Sequence, residues 1–249
     1  GCENLTSINL TQFNTSQVLN MSYLFYNCKS LTDLNTIKYF DTSQVMSMDN
    51  MFNGCSGIKT LNLTSFRTEI VTNMSYMFSN CESLVELFIG SFKTFNVSDM
   101  IATFSGLKEL SYLDLSFMDT SNLKDMSKLF YNFISLTSLK INNFDTSKVT
   151  KMDYMFGNCK NLKELNLSSF DISNVLNMSN MLENCELLTS LNLSNFGQSL
   201  VETMDSMFSG CVMLSLLNLT NLKTPNLKST VRMFYECASL SELNISRIN

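Results

Sequence analysis

The run Phe144-Asp-Thr-Ser-Lys-Val-Thr-Lys-Met-Asp-Tyr-Met-Phe-Gly-Asn-Cys159-Lys-Asn-Leu-Lys-Glu-Leu-Asn-Leu167 decides the fold, because its pattern recurs along the chain. Aligned on cysteine, the register is Cys2, Cys28, Cys55, Cys81, Leu107, Phe133, Cys159, Cys185, Cys211 and Cys237. Each step is 26 residues except the 27 from Cys28 to Cys55, whose extra residue lies between Leu34 and Phe40. A methionine column keeps the same step from Met21 to Met204 and lapses at Thr230. An aromatic column runs from Phe25 to Phe234 with Leu182 as its exception. Leu-x-Leu recurs at Leu61/Leu63, Leu113/Leu115, Leu165/Leu167, Leu191/Leu193 and Leu217/Leu219. Columns held in phase at a fixed period are the signature of stacked repeats.

The unit reads C-x-x-L-x-x-L-x-L-x-x-F-D-T-S-x-V-x-x-M-x-x-M-F-x-x. Its alternating leucines predict a strand with the leucines inward. Phe-Asp-Thr-Ser predicts a turn in which a short polar side chain bonds nearby backbone N–H groups. The three-residue spacing of Val, Met and Met-Phe predicts a short helical or 3-10 segment, apolar edge inward. One unit cannot bury these edges alone, but a stack can. The expected fold is an α/β solenoid over residues 1–249, about ten coils without recognisable caps. It has a parallel β-sheet on one face and the helical segments on the other.

The 144–167 run resembles the repeat of BspA-like leucine-rich-repeat surface proteins, found in bacteria and some protists, and the resemblance extends over essentially the whole chain. It implies a right-handed coil, which also agrees with the handedness of parallel β-crossovers. It further implies an extracellular or cell-surface location and a role in adhesion or protein binding, with no shared catalytic residues. The chain departs from the pattern near 85–135, where Leu107 and Phe133 replace cysteine and a turn reads Phe92-Lys-Thr-Phe.

Composition narrows the function classes. The formal charge is −5, which argues against a nucleic-acid partner. There is no histidine, so the usual general base is missing, and with eight glycines there is no glycine-rich phosphate loop. No enzyme and no cofactor are expected, and no apolar run reaches the length of a membrane span. The eight cysteines share one column with Leu107 and Phe133. That slot reads as apolar core holding free thiols. Disulfides between neighbours and metal ligation remain the alternatives. Fourteen of the 17 methionines fill two core columns. Gly1-Cys2 also resembles a mature lipoprotein start, although Cys2 is simply the first member of its column.

A solenoid keeps its function on outward columns. One lies between the strand leucines, on the face expected to be concave: Asn9, Asn35, Asn62, Phe88, Asp114, Lys140, Asn166, Asn192, Asn218 and Asn244. Its asparagines could bond one another along the ladder. Asn9, Asn62, Asn166, Asn192, Asn218 and Asn244 also head N-x-S/T sequons, as do Asn4, Asn14, Asn20, Asn73, Asn96 and Asn177. They are either candidate glycan sites or a by-product of an Asn- and Ser/Thr-rich repeat. The breaks in the pattern, Phe88, Tyr112, Asp114 and Lys140, are the candidate contact residues: exposed aromatics beside charges resemble a binding hot spot. The expected partner is a protein or glycan. The runner-up is a structural role, with copies joined end to end through open edges at the first coil and at Ser246-Arg-Ile-Asn249.

Overall fold

The structure, a computed structural model, describes residues 1–245. Residues 246–249, and with them Ser246 of the Asn244 sequon and the expected open C-terminal edge, lie outside the described residues. The chain winds as a parallel solenoid. A ladder of parallel bridges runs without a break from Asn20 through Ser47, Asn73, Asp99, Asp125, Lys151, Asn177 and Thr203 to Ser229. Equivalent residues therefore stand in file, and the repeat is the unit of structure as expected.

The strand columns form β1 (Thr60–Asn62), β2 (Glu86–Phe88), β3 (Tyr112–Asp114), β4 (Ser138–Lys140), β5 (Glu164–Asn166), β6 (Ser190–Asn192), β7 (Leu216–Asn218) and β8 (Glu242–Asn244). Each has its central leucine inward and its flanking residues outward. The sheet is not continuous. It divides into parallel pairs β1–β2, β3–β4, β5–β6 and β7–β8, and every second junction carries no strand pairing.

The opposite face corrects the expected helical segments. The sole helical element among the described residues is a 3-10 turn, Asn35–Tyr39, which takes up the extra residue of the 27-residue step. Elsewhere Val-x-x-Met-x-x-Met-Phe folds as two consecutive turns. In the first complete coil the Leu24 N–H donates to Met21 O and the Cys28 N–H to Phe25 O, at 3.3 and 3.1 Å. The intervening N–H groups of Tyr23, Phe25 and Asn27 donate to Asp49, Met51 and Asn53 of the next coil, at 3.0, 2.8 and 2.7 Å. The third residue of each turn is left-handed, with φ 61° at Tyr23 and 53° at Asn27. Such a position favours Gly or Asn and stops a helix. The second of these columns is accordingly Asn27, Gly54, Asn80, Gly106, Asn132, Asn158, Asn184 and Gly210, with Glu236 the exception.

The core is one apolar cluster running the length of the stack. Phe25, Phe52, Phe78, Phe104, Phe130 and Phe156 form a file of stacked rings with centroids 5.5–5.9 Å apart. Burying each ring contributes about 1.5–3 kcal/mol, which makes this file a main source of cohesion.

The cysteines are free thiols; Cys2 is exposed, Cys237 half-buried and the other six buried. They do more than fill space: Cys55 Sγ donates to Phe25 O at 3.0 Å and Cys159 Sγ to Phe130 O at 3.2 Å, each in the preceding coil. Burial pushes the Cys159 thiol up to about 12, so it stays neutral and unreactive.

A buried threonine file fastens the Phe-Asp-Thr-Ser corner. Thr120 Oγ1 donates to Asp145 O at 2.9 Å and accepts the Asp145 N–H at 2.8 Å. Thr42, Thr68, Thr94 and Thr146 make the same two bonds to Arg67, Lys93, Asp119 and Asp171. The Asp of the corner accepts the N–H two residues on, as at Asp41–Ser43 (3.0 Å) and Asp145–Ser147 (2.9 Å), so this turn is built as the sequence predicts.

Candidate interaction groove on the strand face

Three of the four expected contact residues meet. Asp114 and Lys140 are register partners on β3 and β4. Lys140 Nζ lies 3.3 Å from Asp114 Oδ2 and 5.7 Å from the centre of the Tyr112 ring. The Tyr112 hydroxyl donates to the same carboxylate oxygen at 3.1 Å. Asp114 Oδ1 accepts the Ser116 Oγ–H at 2.6 Å and the Ser116 N–H at 3.0 Å. The Ser116 hydroxyl and then its N–H, followed by Lys140 and Tyr112, hold the Asp114 carboxyl well below the usual carboxylate range. Tyr112 and then Asp114 raise the Lys140 ammonium. This set is exposed and salt-screened, so it fixes the orientation of Tyr112 more than it stabilises the fold.

Phe88 stands apart from the triad, on β2. Between β2 and β3 the unpaired junction opens into a groove of about 500 Å³. Val85 and Phe88 line one side and Tyr112 and Phe117 the other, with Ile89 and Leu110 buried beneath. Equivalent grooves open at the β4/β5 and β6/β7 junctions; the rim of the first is polar, and beside the second a single large apolar side chain, Leu216 at the register position of Tyr112, is exposed on β7. The Phe88 column is otherwise polar, with Asn62, Asp114, Lys140, Asn166, Asn192, Asn218 and Asn244; the Phe117 column is Ser65, Ser91, Asn143, Ser169, Asn195 and Asn221. Among the described residues, only at β2/β3 do four large apolar side chains surround the opening, each more than a third exposed. Val85 and Phe117 are not among the contact residues expected from the sequence. An aromatic in an otherwise Ser/Asn column was the signal available.

The asparagines depart from the expected ladder. Asn9, Asn62 and Asn218 each accept both the N–H and the hydroxyl of the Ser or Thr two residues on, the hydroxyls at 2.8, 2.7 and 2.8 Å. Asn166 and Asn192 accept the corresponding N–H at 3.0 Å. Asn20, Asn73 and Asn177 do the same at a second corner, and Asn14 accepts both groups of Ser16. Asn96 instead donates to Glu69 O of the preceding coil, and Asn244 is exposed at the end of β8. At most of these positions the N-x-S/T pattern thus closes a turn on itself, since side-chain acceptance from residue i+2 is the Asx-turn bond; Asn177 also donates to Asp153 of the preceding coil, at 3.3 Å.

No helix among the described residues is long and apolar enough to cross a membrane. No curated protein matches the chain. A leucine-rich repeat protein from Bacteroides ovatus shares its fold at a TM-score of 0.59 and 15% identity, over 92% of this chain and 64% of that one. The present chain therefore spans slightly under two thirds of that relative's length. A leucine-rich repeat protein from T. pallidum aligns over 84% of this chain and 78% of its own, with 16% identity and a TM-score of 0.45. One from Eubacterium ventriosum aligns over 84% and 55%, with 15% identity and a TM-score of 0.46. The resemblance to bacterial BspA-like leucine-rich-repeat proteins holds in fold and repeat length. A family model described as Mycoplasma protein of unknown function, DUF285, matches residues 1–113, 98–212 and 164–249, and the chain belongs to that family.

Proposed function

We propose that this chain is a non-enzymatic binding scaffold of a surface or secreted repeat protein, which takes a protein partner on its strand face at the β2/β3 groove. Its single solenoid of about ten coils, right-handed as parallel crossovers favour, holds that groove rigidly. One observation carries the reading: among the described residues, Val85, Phe88, Tyr112 and Phe117 are the one set of four exposed large apolar side chains around an open strand junction. Exposed apolar clusters with polar surroundings mark interaction sites.

The test uses Nile red, a neutral apolar probe, with the double variant Phe88→Asn, Tyr112→Ser. These are residues that other coils carry at the same positions, so the variant keeps the fold. The probe should bind the native protein and lose most of its groove-dependent fluorescence in the variant, with an unchanged circular dichroism spectrum. Equal fluorescence from the two proteins would refute the groove.

A further inference from the structure

We infer that the β2/β3 groove takes an extended, positively charged peptide segment of the partner; this rests on the groove being the partner site. The main chain supplies the first reason. Glu86 N–H donates to Lys59 O and Phe88 O accepts the Leu63 N–H. The backbone groups of Glu86 and Phe88 thus face β1, and those of Leu87 face the groove. On β3, Ser111 O and Leu115 N–H bond to β4, so the backbone groups of Tyr112 and Asp114 face the groove from its other side. Among the described residues no bond joins these two edges. An unpaired strand edge is a template for an added extended chain.

Charge supplies the second reason. Asp114 is paired with Lys140 and Glu82 with Lys108. Glu86, on the groove lip at the register position of Tyr112, accepts only the Thr60 hydroxyl, at 3.0 Å, and has no ion pair among the described residues. It is the uncompensated charge of an otherwise apolar opening. An arginine or lysine satisfies both features: its aliphatic stem lies along Phe88 and Tyr112 while its head reaches the Glu86 carboxylate and the ring faces.

The probe is a short fluorescein-labelled peptide alternating valine with arginine. A valine–glutamine copy, a copy N-methylated at alternate amides and a neutral oligosaccharide serve as comparisons, read by anisotropy on the full chain. The arginine peptide should bind about tenfold tighter than the glutamine copy, a difference of about 1.4 kcal/mol. Glu86→Gln should erase that difference, while Glu164→Gln at the β4/β5 groove leaves it intact. N-methylation should abolish binding. Arginine and glutamine peptides binding alike, or Glu86→Gln without effect, would overturn the charge inference and leave the groove standing. Binding by the oligosaccharide alone, or indifference to N-methylation, would overturn the extended peptide. If Phe88→Asn leaves the binding of every probe unchanged, the groove itself is wrong, which is a separate failure.

Discussion

The two long faces of this solenoid are built to opposite rules. On the turn face each coil donates a series of N–H groups to the next, and the bridge ladder passes every junction from Asn20 to Ser229. On the strand face the coils pair two by two, and alternate junctions stand open. The same two coils are therefore bonded through Phe78 N–H and Thr103 O on one side and unbonded between Leu87 and Tyr112 on the other. Cohesion is concentrated where the side chains are uniform, in the phenylalanine and threonine files. Variation is concentrated where the backbone is released. A repeat protein can alter its open face coil by coil without disturbing the stack.

The sharpest way to break this contrast is to substitute on both faces. Phe130→Ala removes a fully buried ring from the middle of the file and should cost about 3–5 kcal/mol. Phe88→Asn should leave stability within about 0.5 kcal/mol. Urea unfolding followed by circular dichroism measures both, and comparable losses would mean that the strand face carries the fold as well. A smaller effect tests the corner. Thr120→Val deletes both bonds to Asp145, which are part-buried, for an expected loss of about 1–3 kcal/mol. A neutral result would show the threonine file to be incidental.

The cysteine file adds an alkaline pH dependence of its own, set by burial. A folded-state thiol raised to about 12 at Cys159, from an ordinary value of 9.0, contributes stability that is fully present below about pH 9. It is lost progressively as pH rises towards 12, because only the unfolded chain releases the proton readily. Thermal melts should therefore fall between those limits, and Cys159→Ala should flatten part of the fall. A melting temperature constant up to pH 11 would contradict this.

Much of the architecture was legible because register survives in sequence. The 26-residue step placed the strands, the Asp turns and the extra residue near Leu34. The double turn was not read, for a physical reason. Met48, Met51, Phe52 and Cys55 are all buried at i, i+3, i+4 and i+7, the spacing of a helix face. Two consecutive turns bury the same positions. The discriminating signal was the Asn/Gly column before the cysteine, at Asn27, Gly54 and Asn80, where left-handed backbone is needed. On the strand face, Tyr112, Asp114 and Lys140 stood out as breaks in their columns, and the structure brings them together. The groove beside them was not legible. The inward apolar pairs Leu61/Leu63, Leu87/Ile89 and Leu113/Leu115 are alike, so this pattern does not mark which strand junction opens.

Residue-resolved amide hydrogen exchange on the full chain tests the separation of faces most directly. The N–H groups of Phe78, Phe104 and Phe130 should exchange slowly, while those of Leu87, Tyr112 and Asp114 in neighbouring coils exchange within seconds to minutes. Slow exchange at Leu87 and Tyr112, matching that at Phe78 and Phe104, would mean that β2 and β3 are bonded and the groove is closed.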